Sequence, residues 1–404
     1  MSRKIYRSMN EIFTIDRREF LKVSAAAGAG VMLGTPQVWA QDQEQEQPPP
    51  RPKTNIDDAM KVPRTAHSLP GPFPGRVVEV HDEKATVDNN PDASVVAAMF
   101  AAGLQKLTDK DMRGSFNQFF TPDDLVGIKV NPVGSGMINT HHEIVTAIID
   151  WLATGGLPKR NIVIFDRFES MLQEADFTSE RYPDVHIESL QIIDETAWGQ
   201  EDPDTSGFLD EKGDHLSKEL FDSQVYYWAD VEGPKDLDYL NQHVENGKRS
   251  YFGKLLTQKL TKFINVPVFK NTGNGISMAT KNIGYGVINN TGRLHKPLFF
   301  DVCTEVLAFP CVRDKMVLNI TDGLIGQYDG GPMPNAQFMY PYNRLFLATD
   351  PFALDMVCHD LMVQKRKSEE VDVNEHPRYT EYLRYGEKLG LGIGNPEKIT
   401  HVKV

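Results

Sequence analysis

Cysteine is scarce: Cys303, Cys311 and Cys358 are the three in 404 residues, and no two of them stand as CxxC. Neither a thiolate zinc site nor a ferredoxin-type iron–sulfur cluster is encoded, and at most one disulfide can form, leaving one thiol free. Positive charge is short as well. Lys and Arg number 43 against 56 Asp and Glu, for a formal net charge of −13. Such a chain lacks the basic footprint that general nucleic-acid binding or adhesion to an anionic membrane requires. The sequence also has no GxSxG elbow, no HExxH, no GxxxxGK[ST] loop and no GxGxxG. That leaves no motif for a serine hydrolase, a zinc protease, a Walker-type nucleotide site or a dinucleotide fold. No internal repeat at solenoid periods is visible.

What is present begins at the N-terminus. "DRREFLKVSAAAGAGVMLG" sets Arg17 and Arg18, followed by Phe20, Leu21 and Lys22, ahead of a short small-residue apolar run, and "VWA" at 38–40 supplies a cleavage pattern. This resembles a twin-arginine export signal, with Asp16 where Ser or Thr is commoner. The run is far below the ~20 residues of a spanning helix, so no stable membrane span is expected, and no lipid-accepting cysteine follows it. Residues 1–40 are read as a signal peptide, the twin-arginine translocase as the export partner, and the destination as periplasmic or otherwise exported. Those residues hold six Lys and Arg against three acids, so the chain from Gln41 onward carries −16. Next, "QDQEQEQPPPRPK" is polar and proline-rich, and 41–75 reads as a flexible linker.

From Arg76 to Val404 the sequence alternates two patterns. Short Val/Ile-rich runs stop abruptly at a polar residue: "LVGIKVN" (125–131), "NIVIFD" (161–166), "KFINVPVFK" (262–270), "MVLNITD" (316–322) and "RLFLATD" (344–350). Between them lie helical periodicities from Pro91, His142, Phe299 and Pro351. Alternation of this kind predicts an α/β fold, a mainly parallel sheet flanked by helices. Residues of about 196–253 break the rhythm and read as an irregular insertion, a lid or partner surface, with the aromatic stretch "QVYYWADVEG" around Tyr226, Tyr227 and Trp228.

In open α/β sheets ligands gather beyond the carboxyl ends of strands, which singles out Lys129, Asn131, Asp166, Lys270, Asp322 and Asp350. Asp and Asn at these places also cap helices. In "VPVFKNTGNGISMATKN", Lys270 and Lys281 frame Gly273 and Gly275, so backbone amides and two ammonium groups can approach phosphate or carboxylate oxygens. Gly330, Gly331 and Pro332 make a second tight turn. His295 follows a glycine-rich run as a proton carrier or ligand. Adjacent helical positions diverge by about 100°, so His141 and His142 are not expected to act as one chelate. Asp350 ends a strand and Asp355 lies about one helical turn later, a hard-oxygen pair suited to Mg²⁺, Ca²⁺ or Mn²⁺, or to holding a lysine.

"VGIKVNPVG", "NIVIFDR", "NVPVFKNTGNGISMATKNIGYG", "LHKPLFFDV", "VLNITDGLIGQYDGGPMPN", "LFLATDPFALDMV" and "LGLGIGNPEKITHVKV", in that order, resemble the domain of unknown function 362 family over roughly 76–404, the insertion aside. The resemblance implies site roles for Lys129, Asn131, Asp166, Lys270, Lys281, Asn282, His295, Asp322, Gly330, Gly331, Pro332, Asp350 and Asp355. The family usually has a histidine two positions after the first loop lysine, where this chain has Thr272. Some relatives carry an iron–sulfur segment that this sequence lacks. The sequence thus favours an exported enzyme. Lys129, Lys281, Asp166, Asp322 and His295 would be its catalytic groups; Asn131, Lys270, Gly273, Gly275, Asn282, Gly330 and Gly331 would bind an anionic substrate or cofactor, with a divalent metal or redox cofactor compatible with Asp350 and Asp355. A non-catalytic ligand-binding protein and a docking partner of another exported protein are the alternatives, and oligomeric state is not legible.

Overall fold

The computed structural model describes residues 51–191, 220–231, 247–295, 298–374 and 376–404. The signal peptide, the tether up to residue 50, and 196–219 and 232–246 of the insertion lie outside the described residues.

Nine strands matter for the site: β1 (Arg76–His81), β2 (Val126–Lys129), β3 (Ile162–Phe168), β4 (His186–Gln191), β5 (Lys262–Asn265), β6 (Val268–Thr272), β7 (Met316–Gln327), β8 (Arg344–Ala348) and β9 (Thr400–Lys403). Eight of them lie side by side in the order β9-β1-β8-β7-β5-β2-β3-β4, and β6 continues beside the far half of β7. β7, β5, β2, β3 and β4 are mutually parallel, as is the β1–β9 pair, while β8 runs antiparallel to both β1 and β7. The run 262–270 divides into β5 and β6 at Val266 and Pro267, where proline has no amide hydrogen to give a ladder.

Both faces of the sheet are covered, which explains the near-continuous apolar strands. On β3, Ile162 and Ile164 enter one core with Ile128, Phe100 and Ile148, whereas Val163 and Phe165 enter the other with Phe263, Leu256 and Ile283. The first core is closed by helices α1 (Ala93–Thr108), α2 (Met112–Phe119) and α3 (His142–Thr154). Asp92 caps α1 by accepting from the amides of Ser94 and Val95. The helical pattern expected from Phe299 is shorter than its periodicity suggests, Val302–Glu305 followed by a 3-10 turn at Val306–Ala308, and ends where Pro310 opens another turn.

Two expectations are corrected here. Residues 51–75, read as linker, pack on the body. The helix Ile56–Lys61 buries Ala59. Leu69 is buried, and Arg64 donates to the carbonyls of Leu69, Leu389 and Gly390 at 2.7–2.8 Å. Leu389 and Gly390 lie more than 300 residues away in the chain, so local composition could not announce them. The described part of the insertion is likewise built in, as a hairpin of Phe221–Trp228 and Arg249–Gly253. Tyr227 is fully buried and donates to Glu305 at 2.8 Å, while Tyr226, half-buried, packs edge-on against Tyr251 at 5.9 Å and Trp228 is also half-buried.

Helix α5 (Pro351–Ser368) starts with Asp350 at its N-cap and Pro351 in the first turn. One Asp350 oxygen accepts from the amides of Phe352 and Ala353 at 3.0 Å, the other from Gly75 at 3.0 Å and Ile393 at 2.8 Å. One buried carboxylate thus ties β1, α5 and the C-terminal segment together. Asp350→Ala strands these donors and is expected to lower unfolding stability by roughly 2–4 kcal/mol. Denaturant titration checks this, and a loss below about 1 kcal/mol contradicts it.

Candidate functional site

Parallel strands bring their polar ends into register. Lys129 of β2 lies opposite Asn265 of β5, and Asn265 opposite Asn319 of β7. Lys129 is fully buried; its Nζ ion-pairs with Asp166 of β3, donates to the Val130 carbonyl at 3.0 Å and lies 3.3 Å from Asn282 Oδ1. Asn131 Nδ2 donates to the same Asn282 oxygen at 3.0 Å, while Asn131 Oδ1 accepts from Lys270 Nζ at 2.8 Å. Asn282 Nδ2 in turn donates to Asn265 Oδ1 at 2.8 Å, and Asn265 Nδ2 donates to Asn319 Oδ1 at 2.9 Å. Five of the sequence-selected residues (Lys129, Asn131, Asp166, Lys270, Asn282) therefore share one buried network, completed by Asn265 and Asn319.

Burial governs its charges. It depresses the pKa of Lys129 despite the nearby Asp166 carboxylate. Lys270, also buried, is pushed down to about 7, first by desolvation and then by the positive charges of Lys281 and Lys129. Its Nζ has carbonyl acceptors, Asn131 Oδ1 and Val133 O at 3.1 Å, but among the described residues no carboxylate in contact. Gly286 makes this packing feasible, since a Cβ there would fall 2.2 Å from the Asn282 carbonyl and 2.8 Å from Lys129 Nζ.

Lys281 and Asn282 sit on the short helix α4 (Ala279–Gly284). Lys281 Nζ lies over the rings of Tyr285 and Phe299, 5.1 and 5.5 Å from their centroids. The His295 ring packs against the same two rings at 4.6 and 5.7 Å. His295 Nδ1 is 3.0 Å from the Thr291 carbonyl, which can only accept, so Nδ1 carries the hydrogen and Nε2 is left as an acceptor. Burial and then the Lys281 charge lower the His295 pKa to about 4, so the imidazole is neutral. His295 and Phe299 line a cleft of about 700 Å³ together with Thr272, Gly273, Asp301 and Tyr379. Thr272 thus shares the cleft wall with His295.

The remaining candidates fall elsewhere. Asp322 is fully buried and pairs with His141 Nδ1 at 2.8 Å while accepting from the His141 amide at 2.7 Å. Burial opposes charge on His141, but the Asp322 carboxylate outweighs it and raises the pKa. His142 turns the other way, to the Tyr182 hydroxyl at 2.7 Å, so the two histidines do not converge. Gly273, at φ 53°, forms the turn from β6 into the Gly275–Ile276 strand. Gly331 lies so close to Asn271 that a Cβ would meet its carbonyl at 2.4 Å, and its amide donates to Asn271 Oδ1 at 2.9 Å. The Gly330–Gly331 turn therefore approaches protein rather than lying open, with Pro332 following a cis bond. The Asp350 oxygens are occupied by the amides above. Those of Asp355 accept from the amides of Ala279 and Thr280 at 2.8 Å and from the Thr280 hydroxyl at 2.6 Å. Among the described residues, no group of three His, Cys, Asp or Glu is arranged to hold a metal ion, so the metal role expected of Asp350 and Asp355 gives way to anchoring backbone. Cys303, Cys311 and Cys358 are buried free thiols.

Comparison with known proteins adds two matches. Residues 219–360 match the family model described as Domain of unknown function (DUF362), which takes in β5 to β8, α4 and the first half of α5. Residues 14–34 match the twin-arginine translocation pathway signal sequence. The signal marks the chain as exported across the membrane, and the family match is confined to residues 219–360; among the described residues no helix is long and apolar enough to cross a membrane. No curated protein and no solved structure matches it.

Lys270 leaves a pH signature. An unfolded lysine titrates near 10.5 and the folded one near 7. Between those values the unfolded chain binds more protons, so this group's stabilisation grows as pH rises through the window and is lost as pH falls to about 7. Lys270→Met should reduce the slope of unfolding free energy between pH 7 and 9 by up to about 1.4 kcal/mol per pH unit. Parallel profiles for the two proteins contradict the assignment.

Proposed function

We propose that this exported protein is an enzyme acting on a small anionic substrate held where the cleft meets the strand-end lysines. One observation carries this reading: buried Lys270 feels the charges of both Lys129 at its strand end and Lys281 on α4, with Asp166 paired to Lys129 as the carboxylate of the group, inside a chain of net charge −13. Concentrating cations against an overall acidic balance opposes folding unless an anion completes the charge. Turnover is favoured over simple retention by the protonation states. A binding site is served by permanent charge, whereas Lys270 near 7 and a neutral His295 with an open Nε2 are placed to donate and accept protons at neutral pH. Lys270 and Lys129 would hold the anionic group, Asp166 would keep Lys129 oriented, and His295 would move the proton. The His141–Asp322 pair would supply a second oriented imidazole close to the same strand ends.

Because an anion binds the protonated lysine, affinity should fall as pH rises through about 7. Titration calorimetry of the exported chain with oxalate, malonate and inorganic phosphate should show at least one of them binding more tightly at pH 6 than at pH 8, by up to about tenfold for each pH unit above the pKa. Lys270→Met should remove that pH dependence. Absence of binding by all three probes, or an unchanged pH profile in the variant, counts against the site.

A further inference from the structure

Lys281 is chemically unlike its neighbours. Lys129 faces a carboxylate and Lys270 donates to two oxygens, whereas among the described residues Lys281 Nζ has no hydrogen-bond acceptor and no carboxylate partner; it lies over the faces of Tyr285 and Phe299 with the Cys303 thiol nearby. The carboxylate of the adjoining backbone, Asp355, is taken by Thr280 and Ala279, and Asp301 is held by Arg51 at 3.0 Å. A desolvated amine beside another cationic group is the setting in which lysine becomes a nucleophile. Burial lowers its pKa accordingly. His295, packed at a tilt against the same two rings, brings a neutral imidazole with Nε2 as acceptor beside this amine.

From this arrangement we infer that Lys281 forms an imine with a carbonyl-bearing anion such as a 2-oxo acid. The inference rests on the anion site proposed above and narrows its substrate class. The Nζ lone pair adds to the carbonyl carbon and the carbonyl π pair moves to oxygen; His295 Nε2 takes one proton from nitrogen and passes it to the alkoxide, giving the carbinolamine. His295 then takes the second N–H proton and delivers it to the hydroxyl, which leaves as water while the nitrogen lone pair forms the C=N bond. One water is released for each imine formed, and no oxidant, reductant or metal is consumed. The cationic Lys270 and Lys129 hold the carboxylate, so a carbonyl compound without an anionic group should react poorly.

The test is reductive trapping. The exported chain is incubated with glyoxylate and cyanoborohydride at pH 7.5, and modification of each lysine is followed by peptide mass spectrometry. Lys281 should be modified at least about tenfold faster than exposed Lys84, oxalate should protect it, and Lys281→Met should leave only the slow surface reaction. Labelling of Lys281 no faster than Lys84 overturns the imine. If oxalate still binds with the pH dependence described above, that result removes the imine alone. If oxalate, malonate and phosphate also fail to bind, the anion site falls with it.

Discussion

The ion pair of Lys129 with Asp166 is the constraint around which this sheet end is organised. A lysine with no exposed surface, placed at the close of a central strand, loses several kcal/mol of hydration that its carboxylate alone does not restore. The structure therefore surrounds it with oriented neutral dipoles: the Val130 carbonyl and Asn282, behind which stand Asn131, Asn265 and Asn319. Each asparagine uses its oxygen toward one neighbour and its amide toward the next, so the order of the amides follows from which end must face the lysines. Removing one member would leave its partners as buried unsatisfied groups, which makes the network an all-or-none element.

That logic explains the sheet topology near the site. Only parallel neighbours end at the same level, and β2, β5 and β7 place Lys129, Asn265 and Asn319 side by side for this reason. The break between β5 and β6 at Pro267 then carries the chain beyond that row, so Lys270 reaches back to Asn131 and Val133 from the far side. Lys270 and Lys129 thus approach the same asparagine cluster from two directions. Their repulsion is one cause of the low Lys270 pKa.

Much of this was legible in sequence, for a definite reason. Apolar runs that stop at a polar residue mark both a buried strand and its functional end, and Lys129, Asn131, Asp166 and Lys270 were found that way. Asn265 and Asn319 carry the same signal, in "KFIN" and "MVLN", but the apolar character resumes after each, so the runs read as longer strands ending later. The closeness of Gly286 to Lys129 and the pairing of His141 with Asp322 left no local trace, because the partners lie more than 150 positions apart in the chain. The edge strands β4 and β9, and β1 beside β9, were missed because their composition is mixed, and pairing rather than propensity makes them strands.

The acidic residues of α5 show how a chemical pattern can serve a mechanical end. Asp350 and Asp355 have the spacing of hard-oxygen ligands, yet each meets backbone amides. Asp350 holds Gly75 and Ile393, and Asp355 holds Ala279 and Thr280 at the start of the helix that presents Lys281 and Asn282. Farther along the same helix, buried Arg366 donates to the Gly273 carbonyl at 2.8 Å and pairs with Asp329, clasping the turn that follows Lys270. One helix thus fixes both segments that carry Lys270 and Lys281. Amides and carbonyls of those segments that would otherwise face a low-dielectric interior are satisfied by charged groups, the strongest partners available without water. The lysines can then be held close together while their repulsion is borne by a rigid scaffold, and an amine such as Lys281 can remain without a carboxylate of its own.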